Sequence, residues 1–124
     1  MTRPQFQAIA VVGVSSDPSK YGHRVFRDLL VAGYPVFAVN PKGGTIEHQT
    51  VYPNLAALPT IPQVVITVVK PEVTESIVEE CHKLGIKEIW MQPGSESSAA
   101  IQHATALGIK VTSNACFMKH QGVW

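Results

Sequence analysis

Residues 9–16 read Ile-Ala-Val-Val-Gly-Val-Ser-Ser, a short apolar run that stops at a glycine and continues into two serines. Four consecutive apolar residues are typical of a strand that is buried on both faces, as in a parallel sheet. Similar runs recur along the chain, and the segments between them repeat apolar residues at helical spacing. This stretch and its repeats predict an α/β protein, Rossmann-like, with helices on both faces of a parallel sheet.

The predicted strands are residues 8–14, 36–39, 64–69, 88–91 and 111–112, with a short edge strand at 50–52. Three helices are predicted from apolar stripes, which are Val25, Phe26, Leu29 and Leu30; Val73, Ile77, Val78, Cys81 and Leu84; and Ala100, Ile101, Ala104 and Leu107. Asn54 is predicted to cap a short helix, and a glycine follows each long helix where a left-handed C-cap is needed. We expect one three-layer αβα domain over residues 1–124, with its core at about 8–120 and strand order 3-2-1-4-5-6.

The composition limits the classes of function. The chain has 124 residues, of which 45% are hydrophobic and 15% charged, and its formal net charge is +1. A nearly neutral chain argues against nucleic acid or a membrane surface as a partner. The longest apolar run, residues 64–69, is far shorter than the ~20 residues of a membrane helix. Residues 1–5 lack the apolar core of a signal peptide, and two cysteines make no disulfide framework, so we expect a cytoplasmic protein with reduced thiols.

The loop after the first strand, Gly13-Val14-Ser15-Ser16, is the first candidate ligand site. In open parallel sheets, ligands bind outside the carboxyl ends of the strands, where the strand order reverses. Gly13 would let a phosphate approach the backbone, and the two serines and the next helix N-terminus would donate hydrogen bonds to it. The alternative is a plain strand-to-helix turn. One of three nearby cations is predicted to meet a pyrophosphate: Lys20, His23 or Arg24.

The second strand ends in Asn40-Pro41-Lys42. A unit that binds NAD would have G-x-G-x-x-G after its first strand and an acid after its second, and this chain has neither. Pro41 stiffens the turn, Asn40 can bond locally, and Lys42 presents a compact charge suited to a phosphate monoester. The pattern indicates a nucleotide with an additional phosphate on its ribose. The alternative is a solvated loop lysine.

The later strand ends are also polar or turn-forming. One is followed by Val69-Lys70-Pro71, whose apolar part is predicted to lie against an adenine, and another by Gln92-Pro93-Gly94. Ser95 is the predicted N-cap of the helix that comes next. Cys116 follows the last strand on the ligand side, where it is either a partly buried small residue or a reactive thiol, whereas Cys81 is predicted to be a core residue.

The sequence contains no evident catalytic or metal-binding set. Its five histidines are scattered, and none is spaced with a cysteine or carboxylate as metal ligands are. His82 and His103 are predicted to face water on their helices. Neither G-x-S-x-G nor the P-loop pattern occurs, and Glu79-Glu80 is predicted to be helix surface. The residues therefore predict a binding fold, and an enzyme is the less favoured interpretation.

The chain resembles the stand-alone CoA-binding domain proteins. The resemblance lies in the order and spacing of residues 12–20, 39–42, 51–55, 65–71, 92–94 and 114–116. These proteins are similar to the N-terminal domain of the succinyl-CoA synthetase alpha subunit. The resemblance runs from about Ile9 to His120 and implies a Rossmann-like fold that binds coenzyme A or an acyl-CoA. It implies phosphates at Gly13, Ser15 and Ser16, and a phosphorylated ribose at Lys42. It implies a nucleotide border at Val69, Lys70 and Pro71, and a pantetheine arm flanked by Gln92, Pro93, Gly94, Asn114 and Cys116.

The synthetase also needs a second domain with a phosphorylated histidine and a partner subunit, which 124 residues do not contain. We therefore expect a carrier, a sensor or a subunit without full catalytic machinery, with a small nucleotide as ligand and an undetermined oligomeric state. One alternative is an oxidoreductase or regulatory domain that uses NADP, and another is a protein-interaction module with a vestigial site. A narrower hypothesis is that Cys116 forms a mixed disulfide with CoA.

Overall fold

The computed structural model describes residues 7–124, so the expectation about a signal peptide at residues 1–5 lies outside the described part of the chain. Its sheet contains β1 (Ile9–Val12), β2 (Val36–Val39), β3 (Thr45–Ile46), β4 (Gln49–Tyr52), β5 (Val64–Thr67), β6 (Glu88–Met91) and β7 (Lys110–Thr112). The α-helices are α1 (Tyr21–Val31), α2 (Pro71–Leu84), α3 (Ser98–Ala106) and α4 (Phe117–His120). A turn of 3-10 helix at Leu55–Ala57 lies between β4 and β5.

The seven strands form one sheet in the order β3-β4-β2-β1-β5-β6-β7. All neighbours are parallel except β3 and β4, which form an antiparallel hairpin at one edge. Apart from β3, the order is the predicted 3-2-1-4-5-6, with β1 central. Strand order therefore reverses between β1, β2 and β5, and their carboxyl ends meet in a crevice.

Alternate residues of the buried strand β1 face two separate cores. Ile9 and Val11 pack in one core with residues of α1 and α4, whereas Ala10 and Val12 pack in the other with residues of α2 and α3. This alternation follows from the period of two along a strand. It places helices on both faces, so the predicted three-layer α/β fold is confirmed.

The predicted elements are present; β1 and β5 are shorter than predicted, whereas β4 and β7 each begin one residue earlier. β1 ends at Val12 because Gly13 turns the chain at a φ of 107°, and β5 ends at Thr67. Asn54 caps the short helix as predicted, since its side chain accepts a hydrogen bond from the Ala57 amide at 3.0 Å. All three helix-ending glycines, Gly33, Gly85 and Gly108, have positive φ, as the C-cap pattern predicts.

The predicted N-cap of α3 was wrong. Ser97, and not Ser95, caps α3, because Ser95 is buried and bonded to Thr67 and Gln92. Val73 belongs to the α2 stripe by spacing, but its side chain is 42% exposed and borders a cavity. Among residues 7–124, no helix is long and apolar enough to cross a membrane.

Candidate functional site

The turn at Gly13 is packed tightly against the next strand end. A Cβ atom at this position would lie 2.3 Å from the carbonyl oxygen of Val68, and φ is 107°. Both conditions exclude a side chain, because a real Cβ does not approach an oxygen so closely and L-residues avoid this φ. The glycine therefore has a packing reason, in addition to the phosphate approach that the sequence suggested.

Gly22 is a site residue that sequence reasoning missed. A Cβ on Gly22, in the first turn of α1, would lie 2.2 Å from the carbonyl oxygen of Gly13. In dinucleotide-binding folds, the third glycine of the fingerprint allows this close packing of helix on strand. Here the same role falls nine residues after Gly13, outside the usual spacing, so a motif search does not find it.

A cavity of about 420 Å³ opens at the crevice between β1, β2 and the start of α2. We call it the apolar cavity; it is lined by Gly13, Asn40, Pro41, Val69, Val73, Ile77 and six further residues. Three polar side chains, those of Asn54, Ser76 and Glu80, also reach it. An apolar wall with a few polar groups is the usual construction of a small-molecule site.

A second cavity of about 240 Å³ adjoins the first through Asn40, which lines both. We call it the lysine cavity; it lies between Val14 and Ser16 of the β1–α1 loop, Lys42, and residues 43–46 at the start of the hairpin. Asn40 joins its walls, since its amide donates to the Val14 carbonyl at 2.8 Å and its Oδ1 accepts from the Lys42 backbone at 2.9 Å. The Lys42 side chain is exposed and available to an anion.

The β1–α1 loop is ordered by short-range hydrogen bonds. Ser15 Oγ accepts from the Asp17 amide, and the Asp17 carboxylate accepts from both the amide and the hydroxyl of Ser19. The Ser19 contacts lower the pKa of Asp17. Lys20 is the N-cap of α1 without a side-chain cap bond, and it is exposed.

Arg24 contacts an aromatic ring and not a cavity of this site. Its guanidinium carbon lies 4.8 Å from the centre of the Trp124 ring, a cation–π distance. Arg24 is absent from the walls of the apolar and lysine cavities. Of the three cations considered for a pyrophosphate, His23 is the buried one, and its Nδ1 lies 2.8 Å from the carbonyl oxygen of Ser15.

Gln92 is fully buried and organises the ends of β6 and β7. Its Oε1 accepts from the Phe117 amide at 2.6 Å, so its NH₂ group points to the Tyr21 hydroxyl at 2.8 Å and to Cys116 Sγ at 3.4 Å. The resemblance to the CoA-binding domain proteins implies that Gln92 flanks the pantetheine arm. Its three side-chain hydrogen bonds show a structural role as well, which no local pattern reveals.

The Cys116 thiol lies among hydrogen-bond donors. Partial burial opposes its ionisation, but the Gln92 amide, the Lys119 amide and the Tyr21 hydroxyl together lower the pKa of the thiol. Burial, followed by the contact with the Cys116 sulfur, raises the pKa of Tyr21. Cys81 is completely buried, as predicted for a core residue, and burial raises its pKa to about 12.

The remaining predicted site residues lie at the same carboxyl edge. Lys70 is the exposed N-cap of α2 and Pro71 is its first residue, while Pro93 and Gly94 form an exposed turn after β6. Asn114 is exposed after β7 and has a φ of 63°. A further cavity of about 450 Å³, at the β7 edge around Trp90 and Phe117, contains none of the predicted site residues.

Two histidines pair with carboxylates far away in sequence. His23 Nε2 lies 3.0 Å from Glu47 Oε2, and the exposed His103 contacts Glu79 on the neighbouring helix. His82 is exposed, so both helix histidines face water as predicted. Within residues 7–124, no group of three or more metal-ligating side chains is present. The site as a whole offers an apolar cavity beside a second cavity whose lining includes the exposed Lys42.

Comparison with known proteins adds a family to this geometry. A sequence model of the family described as "CoA binding domain" matches residues 7–121. The alpha subunit of ADP-forming acetate–CoA ligase I from Pyrococcus furiosus is 30% identical over 89 residues, which are 67% of this chain and 19% of that subunit. The chain spans about a fifth of the length of the curated relatives it matches.

Solved structures match nearly the whole chain. A conserved hypothetical protein from Pyrococcus furiosus is 35% identical with a TM-score of 0.88, and the match covers 93% of this chain and 99% of that one. A hypothetical protein from Pyrococcus horikoshii is 32% identical with a TM-score of 0.89, covering 96% of this chain and 84% of that one. The fold therefore also exists in chains of similar length.

Proposed function

This chain belongs to the family of CoA-binding domains, and on that basis we propose that it binds coenzyme A or an acyl-CoA at the carboxyl ends of β1, β2 and β5. The observation that carries the proposal is the pair of joined cavities at this edge. One is apolar and the other contains an accessible lysine, and Asn40 lines both. This pairing suits a ligand that joins a nucleobase to a phosphorylated ribose.

The adenine would occupy the apolar cavity. Val69, Val73 and Ile77 would contact its ring, and Asn54 and Glu80 are the nearby groups that can hydrogen-bond its edge. An exposed valine is otherwise unfavourable in a helix start, since its apolar surface meets water. A bound base would cover Val73, and that supports the placement.

The phosphates would lie beside the β1–α1 loop. Lys42 would bind the 3′-phosphate of the ribose, and Ser15, Ser16 and the N-terminus of α1 would face the pyrophosphate. Val14 lines the lysine cavity and Pro41 the adjoining apolar cavity, and Lys20 is the exposed cation on the loop. The contact of Arg24 with Trp124 makes Arg24 the weaker candidate.

The pantetheine arm would leave the nucleotide towards the ends of β6 and β7. This region contains Lys70, Pro71, Pro93, Gly94, Asn114 and Cys116, with Gln92 beneath them. The chain would act as a carrier, a sensor or a binding subunit. Because it matches only about a fifth of the acetate–CoA ligase subunits, their reaction is not part of the proposal.

Lys42→Ala provides the test, by calorimetric titration with CoA, dephospho-CoA and NADP. We expect the wild-type protein to prefer CoA, and Lys42→Ala to weaken CoA binding by about 1–3 kcal/mol, the size of a lost charged hydrogen bond. The affinity for dephospho-CoA, which lacks the 3′-phosphate, should fall much less in Lys42→Ala. The matched control is Lys87→Ala, an exposed lysine that precedes β6 at the opposite end of the strands.

Equal losses for CoA and dephospho-CoA would contradict the role of Lys42 while leaving the site in place. Binding of NADP in preference to CoA would replace the ligand by a 2′-phosphorylated dinucleotide. No binding of any of the three would contradict the proposed function.

A further inference from the structure

His23 is a buried, titratable side chain that has no part in the proposed contacts with CoA. Only 4% of its side chain is exposed, and it contacts two different segments. Nδ1 lies 2.8 Å from the carbonyl oxygen of Ser15 in the β1–α1 loop. Nε2 lies 3.0 Å from Glu47 Oε2 in the β3–β4 turn.

Both partners of the ring are hydrogen-bond acceptors. The Ser15 carbonyl has only lone pairs, so Nδ1 must carry a proton to bond it. A neutral ring would then direct the Nε2 lone pair at the Glu47 carboxylate, which is repulsive. The remaining choice is a proton on Nε2 or on the carboxyl, and an imidazole is the stronger base. With Glu47 ionised, both contacts are hydrogen bonds only when the ring has a proton on each nitrogen, which is an imidazolium facing a carboxylate.

His23 does not line the lysine cavity, but its two contacts are with the segments that form two of the cavity walls. One wall is the β1–α1 loop with Val14 and Ser16, and the other is the start of the hairpin with Thr45 and Ile46. Ser15 is in the first segment and Glu47 directly follows the second. The two His23 contacts therefore connect the two segments that form these walls.

The β3–β4 turn has a strained backbone conformation. Glu47 and His48 have φ values of 52° and 62°, although glycine and asparagine are the usual residues there. This conformation brings the Glu47 carboxylate to His23. Retained strain of this kind at the border of a cavity is typical of functional sites.

We propose that His23 is a positioning residue: as an imidazolium it ties the β3–β4 hairpin to the β1–α1 loop and sets the lysine cavity for a phosphate-bearing ligand. The identity of that ligand rests on the proposed function, whereas the tie itself does not. Loss of the Nε2 proton breaks the bond to Glu47, frees the hairpin and weakens phosphate binding.

The other charged groups around His23 are few. Glu47 faces it from the hairpin, and the exposed His48 is next in the turn. From the loop, Asp17 attracts it electrostatically, and Lys20 precedes it by three residues.

Glu47→Gln separates the charge from the hydrogen bond. A glutamine amide can accept from a protonated Nε2 or donate to an unprotonated one, so the tie survives in both states. Affinity for CoA would be measured between about pH 5.5 and about pH 8.5, the range over which imidazoles lose their charge. Because a phosphate monoester titrates near pH 6 itself, the comparison between variants carries the test.

We expect the wild-type protein to lose affinity relative to Glu47→Gln as the pH rises, by on the order of tenfold, a usual size for coupling between sites. Glu79→Gln is the matched control, because it alters a carboxylate that pairs with an exposed histidine on the other face. It should leave the pH profile of the wild-type protein unchanged. Parallel profiles for wild-type and Glu47→Gln would overturn the inference while leaving CoA binding intact.

The ligand-free protein gives an independent readout by NMR of the imidazole nitrogens, with His23→Gln used for assignment. At about pH 6 we expect each ring nitrogen of His23 to have a proton that exchanges slowly with solvent. A single ring proton, with the other nitrogen bare beside Glu47, would overturn the tie. Absence of CoA binding at every pH would overturn the proposed function and the part of this inference that names the ligand. The protons on the His23 ring would still show whether His23 is hydrogen-bonded to Glu47.

Discussion

At Gly13, a methyl group would point at the carbonyl oxygen of Val68 from 2.3 Å, in a backbone of φ 107°. Gly94 has a similar φ of 97°, but a Cβ there meets nothing within 4 Å. Comparing alanine substitutions at the two positions therefore separates the cost of the positive φ from the cost of the steric clash. Gly94→Ala should cost about 1–2 kcal/mol of unfolding free energy for the left-handed conformation. Gly13→Ala should cost a further ~1–3 kcal/mol for the clash.

Urea denaturation of both variants and the wild-type protein measures this difference. Equal costs would show that the Gly13 turn relaxes away from Val68 and that only φ requires the glycine. The same packing explains Gly22, whose Cβ would meet the Gly13 carbonyl oxygen at 2.2 Å.

Individual residues differ in how well the sequence predicts their place at the site. Lys42 and Asn40 follow a strand directly, so the alternation of elements alone brings them to the carboxyl edge. His23 and Glu47 are 24 residues apart with no shared pattern, and only the folded hairpin brings them within 3.0 Å. Contacts that depend on tertiary packing leave no local signal in a single sequence.

At the scale of elements, the N-terminus of α3 offers a defined capping test. The Ser97 hydroxyl accepts from the Ala100 amide at 3.2 Å and donates to the Glu75 carboxylate at 2.8 Å. Ser97→Ala should therefore lower the unfolding free energy by about 1 kcal/mol, the usual value of an N-cap. Ser98→Ala, at the exposed first helical position, is the control and should stay within about 0.5 kcal/mol of the wild-type protein.

Thermal or urea denaturation of the two serine variants checks this prediction. If Ser98→Ala were the more destabilising change, the cap would lie elsewhere. The sequence suggested Ser95, because a serine after a strand and before an apolar repeat is the usual signal. Ser95 instead satisfies the Thr67 and Gln92 backbone inside the core.

The sequence predicts β4 but not β3, so it misses the β3–β4 hairpin, and it also misses the short helix α4. β3 has two residues, and its turn contains Glu47 and His48 without a glycine or asparagine. Hairpin recognition depends on those turn residues and on alternation over several positions, and both signals are missing. The long helices were predictable because their stripes repeat over two or more turns.

At the scale of the whole molecule, the core thiol couples stability to alkaline pH. Burial, followed by repulsion from Glu80, raises the pKa of Cys81 from 9.0 to about 12. Above pH 9 the unfolded chain loses this proton while the folded protein keeps it, so stability falls as the pH rises towards 12. Each pH unit in this range changes the unfolding free energy by about 1.4 kcal/mol.

Cys81→Ala removes that dependence. The variant should be less stable than the wild-type protein at neutral pH, because it leaves a cavity in the α2 core. The gap should narrow as the pH rises above 9. Cys116→Ala is the control, since the lowered pKa of Cys116 gives the opposite sign and the gap should not narrow. Urea denaturation between about pH 7 and about pH 10.5 tests both, and a constant gap for Cys81→Ala would contradict a buried, protonated thiol.

The arrangement of the whole sheet was the most predictable property. Buried runs such as Val64–Thr67 identify parallel strands, and right-handed crossovers then limit the strand order. The observed order differs only by the added edge strand β3. The cavities were not predictable in shape, because they depend on where α2 and the hairpin stand relative to β1.

The turn at Glu47 and His48 also has a consequence for protein engineering. A designer who seeks thermostability would replace these two residues by Asn-Gly, the pair that fits their positive φ values. That exchange would relieve strain of about 1–3 kcal/mol per residue and would delete the carboxylate opposite His23. Under the proposed role of His23, a stability screen would then select a protein with a higher melting temperature and weaker phosphate binding. At this turn, selection for ligand binding and selection for thermal stability would favour different residues.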